Sequence, residues 1–256
     1  MMTNILVNKN TSLLEITLNR PDNGNALSLE LIEELNQILD NYHNDLEIKL
    51  VTITGKGDKF FIAGGDIKEL AEVRSEPEIE TMIELGRKTL DTIRYYPVPV
   101  IALINGYTLG GGAELAMACD YRLAIKKASI GFVHSTLNIT TAWGGIIDLI
   151  YSLGQTKALF TLIEGRIIKA KEAQELGLID SVFDDIDSAY LSIESIKKTF
   201  ETCNTDIIRS NKAIINESKR LFHKNLKTAE SVEFKKTWGS KEHWNTLEAL
   251  LSEFPS

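Results

Sequence analysis

The segment NGYTLGGGAELAMA, residues 105–118, combines glycines and a carboxylate in a pattern suited to chemistry at a carbonyl oxygen. Gly111 falls where a helix should begin, so its N–H has no partner within the helix, and the positive helix end favours a developing negative oxygen. A second glycine run, Ala63-Gly64-Gly65-Asp66, also follows an expected strand, and the Gly65 N–H supplies a second donor. Glycine lets the main chain approach a ligand closely at both places. Two such amides make an oxyanion hole, in which each donor contributes roughly 2.7–4 kcal/mol of transition-state stabilisation.

Glu114 lies three residues after Gly111, on the same helix face and one turn in. Its neighbours Ala113, Leu115, Ala116 and Met117 are apolar, which turns it inward. A buried carboxyl beside an oxyanion site acts as an acid or a base when desolvation raises its pKa. His134, in GFVHSTLNITTAWGG (residues 131–145), then decides the reaction, because imidazole changes charge near neutral pH. Neither glycine run is a phosphate loop: no Lys-Ser/Thr follows, and GxGxxG spacing is missing.

These residues need elements to hold them. Leu14, Ile16 and Leu18 alternate with polar residues as in a half-buried strand, with a hairpin partner in residues 4–7. Turn chemistry at 21–25 leads to Ser28, which caps a helix with Leu31, Ile32, Leu35, Ile38 and Leu39 on one face. Residues 48–54 and 98–104 read as buried strands, 67–71 and 79–95 as helices with a break near Pro77, then helix 111–119 and strand 121–125. Strands alternating with helices predict an α/β core. Beyond Gly145 the pattern is mainly helical: 146–153, 155–164, 170–176, 189–202, 205–222 and 229–236. Tyr107 reads as a core residue, and His43, His223 and His243 sit in polar helical surroundings without a partner motif.

The 256 residues, 43% hydrophobic and 25% charged, can bury one large α/β core. A net charge of -8 argues against nucleic acid or an anionic membrane as partner. Two cysteines without CxxC spacing indicate neither a zinc site nor a disulfide framework, so no metal is expected and a cytoplasmic setting is. The N-terminal residues lack the pattern of a signal peptide, and glycines and Asn105 interrupt the uncharged run 97–113 before it could span a membrane.

Residues 61–68, FIAGGDIK, and 105–118 resemble the two signature segments of the crotonase (enoyl-CoA hydratase/isomerase) superfamily. The resemblance implies a ββα spiral core with a helical C-terminal region, divided here as 1–195 for acyl-CoA binding and catalysis and 196–256 for the helical region. It also implies a homotrimer or hexamer and an acyl-CoA substrate, with no cofactor beyond the CoA that the substrate carries. By the same resemblance Gly65 and Gly111 polarise the thioester carbonyl, while Ala26, Ala63, Asp66, Ile67 and Lys68 line the adenosine and pantetheine path. Trp143 shapes the acyl pocket or packs on the next helix.

Hydratases of the family use two glutamates, and His134 stands in the segment of the second. The Phe-Val-His run, Trp143-Gly-Gly and Trp238-Gly are similar instead to the ethylmalonyl-CoA decarboxylase branch. A glutamate about 4 Å from a malonyl carboxylate would repel it by about 4 kcal/mol at an effective dielectric near 20, and histidine removes that cost. The expectation is therefore decarboxylation of a small 2-alkylmalonyl-CoA, ethylmalonyl- or methylmalonyl-CoA, through an enolate, with Glu114 or His134 returning the proton. The alternatives are an enoyl-CoA hydratase/isomerase using Glu114 with His134, and a catalytically idle binding scaffold.

Overall fold

A computed structural model describes residues 3–253. The chain opens with a hairpin, β1 (Ile5–Asn10) and β2 (Leu13–Leu18), then α1 (Leu29–Tyr42), whose first turn is capped by Ser28 Oγ accepting from Leu31 N at 3.2 Å. Next come β3 (Leu50–Gly55), β4 (Phe60–Ile62), the short α2 (Ile67–Leu70) and α3 (Glu76–Arg94). The same order repeats in β5 (Val100–Ile104), β6 (Tyr107–Leu109) and α4 (Gly111–Ala118). It repeats again in β7 (Tyr121–Ile125), β8 (Ser129–Gly131) and a 3-10 turn over Val133–Leu137. Each repeat is a ββα unit.

In the units opened by β3, β5 and β7 the first strand joins one sheet and the second strand joins another, whereas β1 and β2 stay together. The larger sheet has the order β1-β2-β3-β5-β7-β10, where β10 is the later strand Ser181–Phe183; all its pairings are parallel except the β1–β2 hairpin. In the smaller sheet β4, β6 and β8 are parallel neighbours, with Ile62 opposite Thr108 and Leu109 opposite Gly131. That register has a direct consequence for function. The segments leaving β4, β6 and β8 carry Gly65, Gly111 and His134, and all three emerge at one end of the small sheet.

Asn105 ties successive turns of the spiral together. It is buried, and its Nδ2 donates to Gly55 O at 2.7 Å and Gly57 O at 2.8 Å. Asn25 makes an equivalent tie nearby, donating to Lys56 O and Phe60 O, each at 3.0 Å. All eight residues of α4 are buried, as expected of a helix apolar on nearly every side and placed at the centre.

The remaining elements are α5 (Gly145–Leu153), α6 (Gln155–Glu164), β9 (Ile168–Lys169), α7 (Ala170–Leu176), β10, α8 (Ile186–Glu201), α9 (Thr205–Trp238) and α10 (Lys241–Ser252). Residue 195 lies inside α8. Among the described residues no helix is long and apolar enough to cross a membrane.

Several sequence expectations need correction. The break expected near Pro77 falls at residues 71–75, and α3 starts three residues earlier than expected, at Glu76: Ser75 and Glu78 form a capping box, and proline is tolerated in a first turn because its missing N–H would have no partner there. The helices expected at 205–222 and 229–236 are one helix of 34 residues, since the polar stretch between them holds no glycine or proline to end it. Residues 241–252 form a further helix, α10, capped by Ser240. Tyr107 is an exposed residue of β6, outside the core.

Candidate active site

The glycines at the ends of β4 and β6 are shaped by what surrounds them. Leu27 N donates to Gly64 O at 2.8 Å and Asp66 N to Leu27 O at 3.0 Å, so Gly65 sits in a parallel bridge with its own N–H turned to the opposite side. Gly110 adopts φ 51°, ψ -120°, which brings the chain sharply from β6 into α4 and leaves Gly111 as the first helical residue. The N–H groups of Gly65 and Gly111 are without main-chain acceptors among the described residues.

Both glycines line a cavity of about 120 Å³ together with Glu114 and His134. Ala63, Ile67 and Trp143 also line it. Ala26, Asp66 and Lys68 do not: Ala26 O accepts from Arg20 Nη1 at 2.6 Å, Asp66 pairs with Arg20 at 3.0 Å, and Lys68 projects from α2. Among the described residues no group of three or more His, Cys, Asp or Glu could hold a metal ion.

Glu114, only 2% exposed, is held at both oxygens. Its Oε2 accepts from Trp143 N and Gly145 N, each at 2.9 Å, and its Oε1 lies 3.2 Å from His134 Nε2. His134 is 8% exposed, and its Nδ1 has no partner among the described residues. The two candidates from α4 and the 3-10 turn are thus directly paired. Trp143 borders the cavity and lies against Gly86 of α3 and Gly111 of α4.

A Cβ at position 145 would come within 2.5 Å of Glu114 Cγ and 2.8 Å of its Oε2. Gly145→Ala is therefore expected to displace Glu114 and lower turnover about tenfold or more, with a stability loss of about 1–3 kcal/mol from overpacking. Steady-state kinetics beside urea unfolding would separate the two effects.

The C-terminal helices close the cavity with Phe234, Trp238, His243 and Leu247. The expectation of polar surroundings for His243 fails. It is 1% exposed, with ring centroids 4.6 Å from Trp238 and 4.8 Å from Trp244, and burial lowers its pKa. His223 is likewise buried, with Nε2 2.9 Å from Asp148 Oδ1. The clustering of Trp238, His243 and Trp244 is the signal in the sequence for this wall.

Behind the loop 141–146 lies a polar group that sequence reasoning misses entirely. Glu230 of α9 accepts from Thr141 Oγ1 at 2.5 Å and from Arg87 Nη2 at 2.6 Å, and Arg87 also donates to Ala142 O at 2.7 Å. Burial, then the nearby Glu114 charge, pushes the Glu230 carboxyl up to about 7. Its signal is too faint to find, since one glutamate in a charged helix resembles any solvated one.

Residues 8–251 match the enoyl-CoA hydratase/isomerase family, and the chain belongs to that family within the crotonase superfamily. It is 40% identical over 174 residues to a putative enoyl-CoA hydratase/isomerase of Bacillus subtilis, covering 68% of this chain and 66% of that protein. Identity is 35% over 183 residues with a short-chain-enoyl-CoA hydratase of Clostridium acetobutylicum, covering 72% and 70%. The chain thus spans about two thirds of the length of these relatives. The solved enoyl-CoA hydratase of Bacillus anthracis matches at a TM-score of 0.79 and 31% identity, over 98% of this chain and 97% of that one. The enoyl-CoA hydratase of Bacillus halodurans gives 0.90 at 23% identity, over 96% and 100%, a likeness of fold. These names point to hydratase or isomerase chemistry rather than to the decarboxylase branch.

Proposed function

We propose that the protein is an enoyl-CoA hydratase/isomerase acting on a short acyl-CoA, with Glu114 and His134 as its acid–base pair and Gly65 and Gly111 as its oxyanion hole. The observation that carries this reading is the direct Glu114–His134 pairing in the wall of a cavity that both glycines also line. The imidazole of His134, paired with Glu114 Oε1 through Nε2, takes a proton from water as the water oxygen bonds to the β-carbon. The π electrons move to the thioester oxygen, where the two glycine amides hold the enolate. The imidazolium then returns that proton to the α-carbon, so water has been added across the double bond. Glu114 orients the imidazole and stabilises its charged form, as a carboxylate does in hydrolase triads.

The wall also argues against the decarboxylase reading. A malonyl carboxylate would enter beside Glu114, and no Lys or Arg is among the residues lining the cavity. Repulsion of about 4 kcal/mol at about 4 Å would be offset by His134 alone. A neutral enoyl group meets no such cost. Exposed Leu159, Phe160 and Ile163 on α6 support a homotrimer or hexamer. The acyl-CoA is proposed as the only small-molecule partner, without a further cofactor, and the setting as cytoplasmic.

The deciding experiment offers crotonyl-, malonyl-, methylmalonyl- and ethylmalonyl-CoA and follows loss of enoyl absorbance, product mass and CO₂. Hydration of crotonyl-CoA without CO₂ release is expected. Release of CO₂ from an alkylmalonyl-CoA with no hydration would restore the decarboxylase reading, and failure of every ester to bind would leave a scaffold.

A further inference from the structure

We propose that Glu230 is a positioning residue for the Glu114–His134 pair, gripping the loop 141–146 through Thr141 and Arg87 so that the loop amides stay on Glu114. The inference rests on the acid–base reading above. Its basis is a continuous chain of bonds. Glu230 Oε1 takes the Thr141 hydroxyl hydrogen, and Thr141 Oγ1 in turn accepts from Ile146 N at 3.1 Å, so one side chain spans both ends of the loop. Glu230 Oε2 fixes Arg87, whose Nη2 also holds Ala142 O. Between these anchors lie Trp143 N and Gly145 N, the two donors to Glu114 Oε2. Glu230, from α9, thus reaches Glu114, on α4, through a short segment that joins the 3-10 turn to α5.

Charge joins geometry here. The groups acting on Glu230 are Arg87 and Arg94 of α3, Glu114 of α4 and the Thr141 hydroxyl. Arg87 and Arg94 favour its ionised form, whereas burial and Glu114 oppose it.

The test pairs a side-chain swap with a rescue. Glu230→Gln keeps the shape and removes the charge; Thr141→Val removes the hydroxyl, and Thr141→Ser restores it. The NMR signals of the Trp143 and Gly145 amides read the loop without any turnover. Expected are displaced signals for both amides in Glu230→Gln, and a kcat lower by about tenfold or more in Thr141→Val, at a KM within about threefold. Thr141→Ser is expected to stay within about twofold of the parent. Unmoved amide signals in Glu230→Gln, or equal kcat in the Val and Ser variants, would overturn the proposal. If the parent protein hydrates no enoyl-CoA while the amide signals still move, the reaction assignment fails and the positioning role stands.

Discussion

Replacing His134 with alanine is expected to lower turnover of an enoyl-CoA about a hundred- to ten-thousand-fold, the range spanned by a positioned general acid–base group, while KM stays within about threefold. Two features separate the effects. The cavity walls that would hold the acyl group are apolar residues from other elements, among them Leu70, Met82, Phe234 and Leu247, and they survive the substitution. The imidazole is the only proposed carrier of the proton between water and the α-carbon. Loss of the ring also leaves Glu114 Oε1 without its side-chain partner in a site where the carboxylate is 2% exposed. His134→Gln should be as slow as alanine despite restoring a donor to Oε1, because an amide does not shuttle protons at neutral pH. A kcat for either variant within about fivefold of the parent would remove His134 from the acid–base pair and return the role to Glu114 alone.

The largest stability effect is expected at Arg94. This side chain is fully buried, donates through Nε to both Asp148 oxygens at 3.0 and 3.2 Å and through Nη2 to Oδ2 at 2.7 Å, and pairs with Asp91 as well. Its Nη2 also reaches Trp143 O at 3.2 Å, within the loop that holds Glu114. Arg94→Met would strand the buried Asp148 with His223 alone, and breaking one side of a buried pair costs about 3–5 kcal/mol. Urea unfolding is the measurement; a loss below about 1 kcal/mol would show that Asp148 finds water or another donor.

The pH dependence follows from the same group. Burial works against the Asp148 charge, but Arg94 and His223 outweigh it and hold the carboxyl below its ordinary 3.8. A depressed carboxylate contributes stability in full above its unfolded value, and loses it as pH falls through the folded value. The parent protein should therefore show an acid-induced loss of stability beginning below about pH 4, and Arg94→Met should show a smaller one because some of that stabilisation is already gone. Equal acid limbs in the two proteins would contradict the assignment.

Much of the fold is legible because local patterns repeat the tertiary demand. The alternation of Leu14, Ile16 and Leu18 marks β2, and the Ser28 cap with its apolar stripe marks α1. The uniformly apolar run around Glu114 marks α4 as central. The small sheet is far less legible, since β4, β6 and β8 have three residues each and β9 two, too few for a period to register. Helix α9 reads as two helices because its middle is polar, although nothing there breaks a helix.

Asp148 shows a different limit. No cation stands near it in the sequence, and the structure supplies its partner: Arg94, 54 positions earlier. Glu230, Arg87 and Thr141 likewise lie on three separate segments, and no spacing rule connects them.

By itself, the order of residues determined which groups exist with reactive potential: two glycines able to bare their amides, an inward carboxyl at 114 and an imidazole at 134. Periodicity and caps, being short-range, also determined most of the elements that carry them. Only the tertiary structure decided that Glu114 and His134 bond to each other, that the loop amides fill the other carboxylate oxygen, and that α9 and α10 shut the cavity. Those outcomes depend on parallel strand register and on burial of charges from distant segments, energies that arise only once the spiral has closed and water has left its interior.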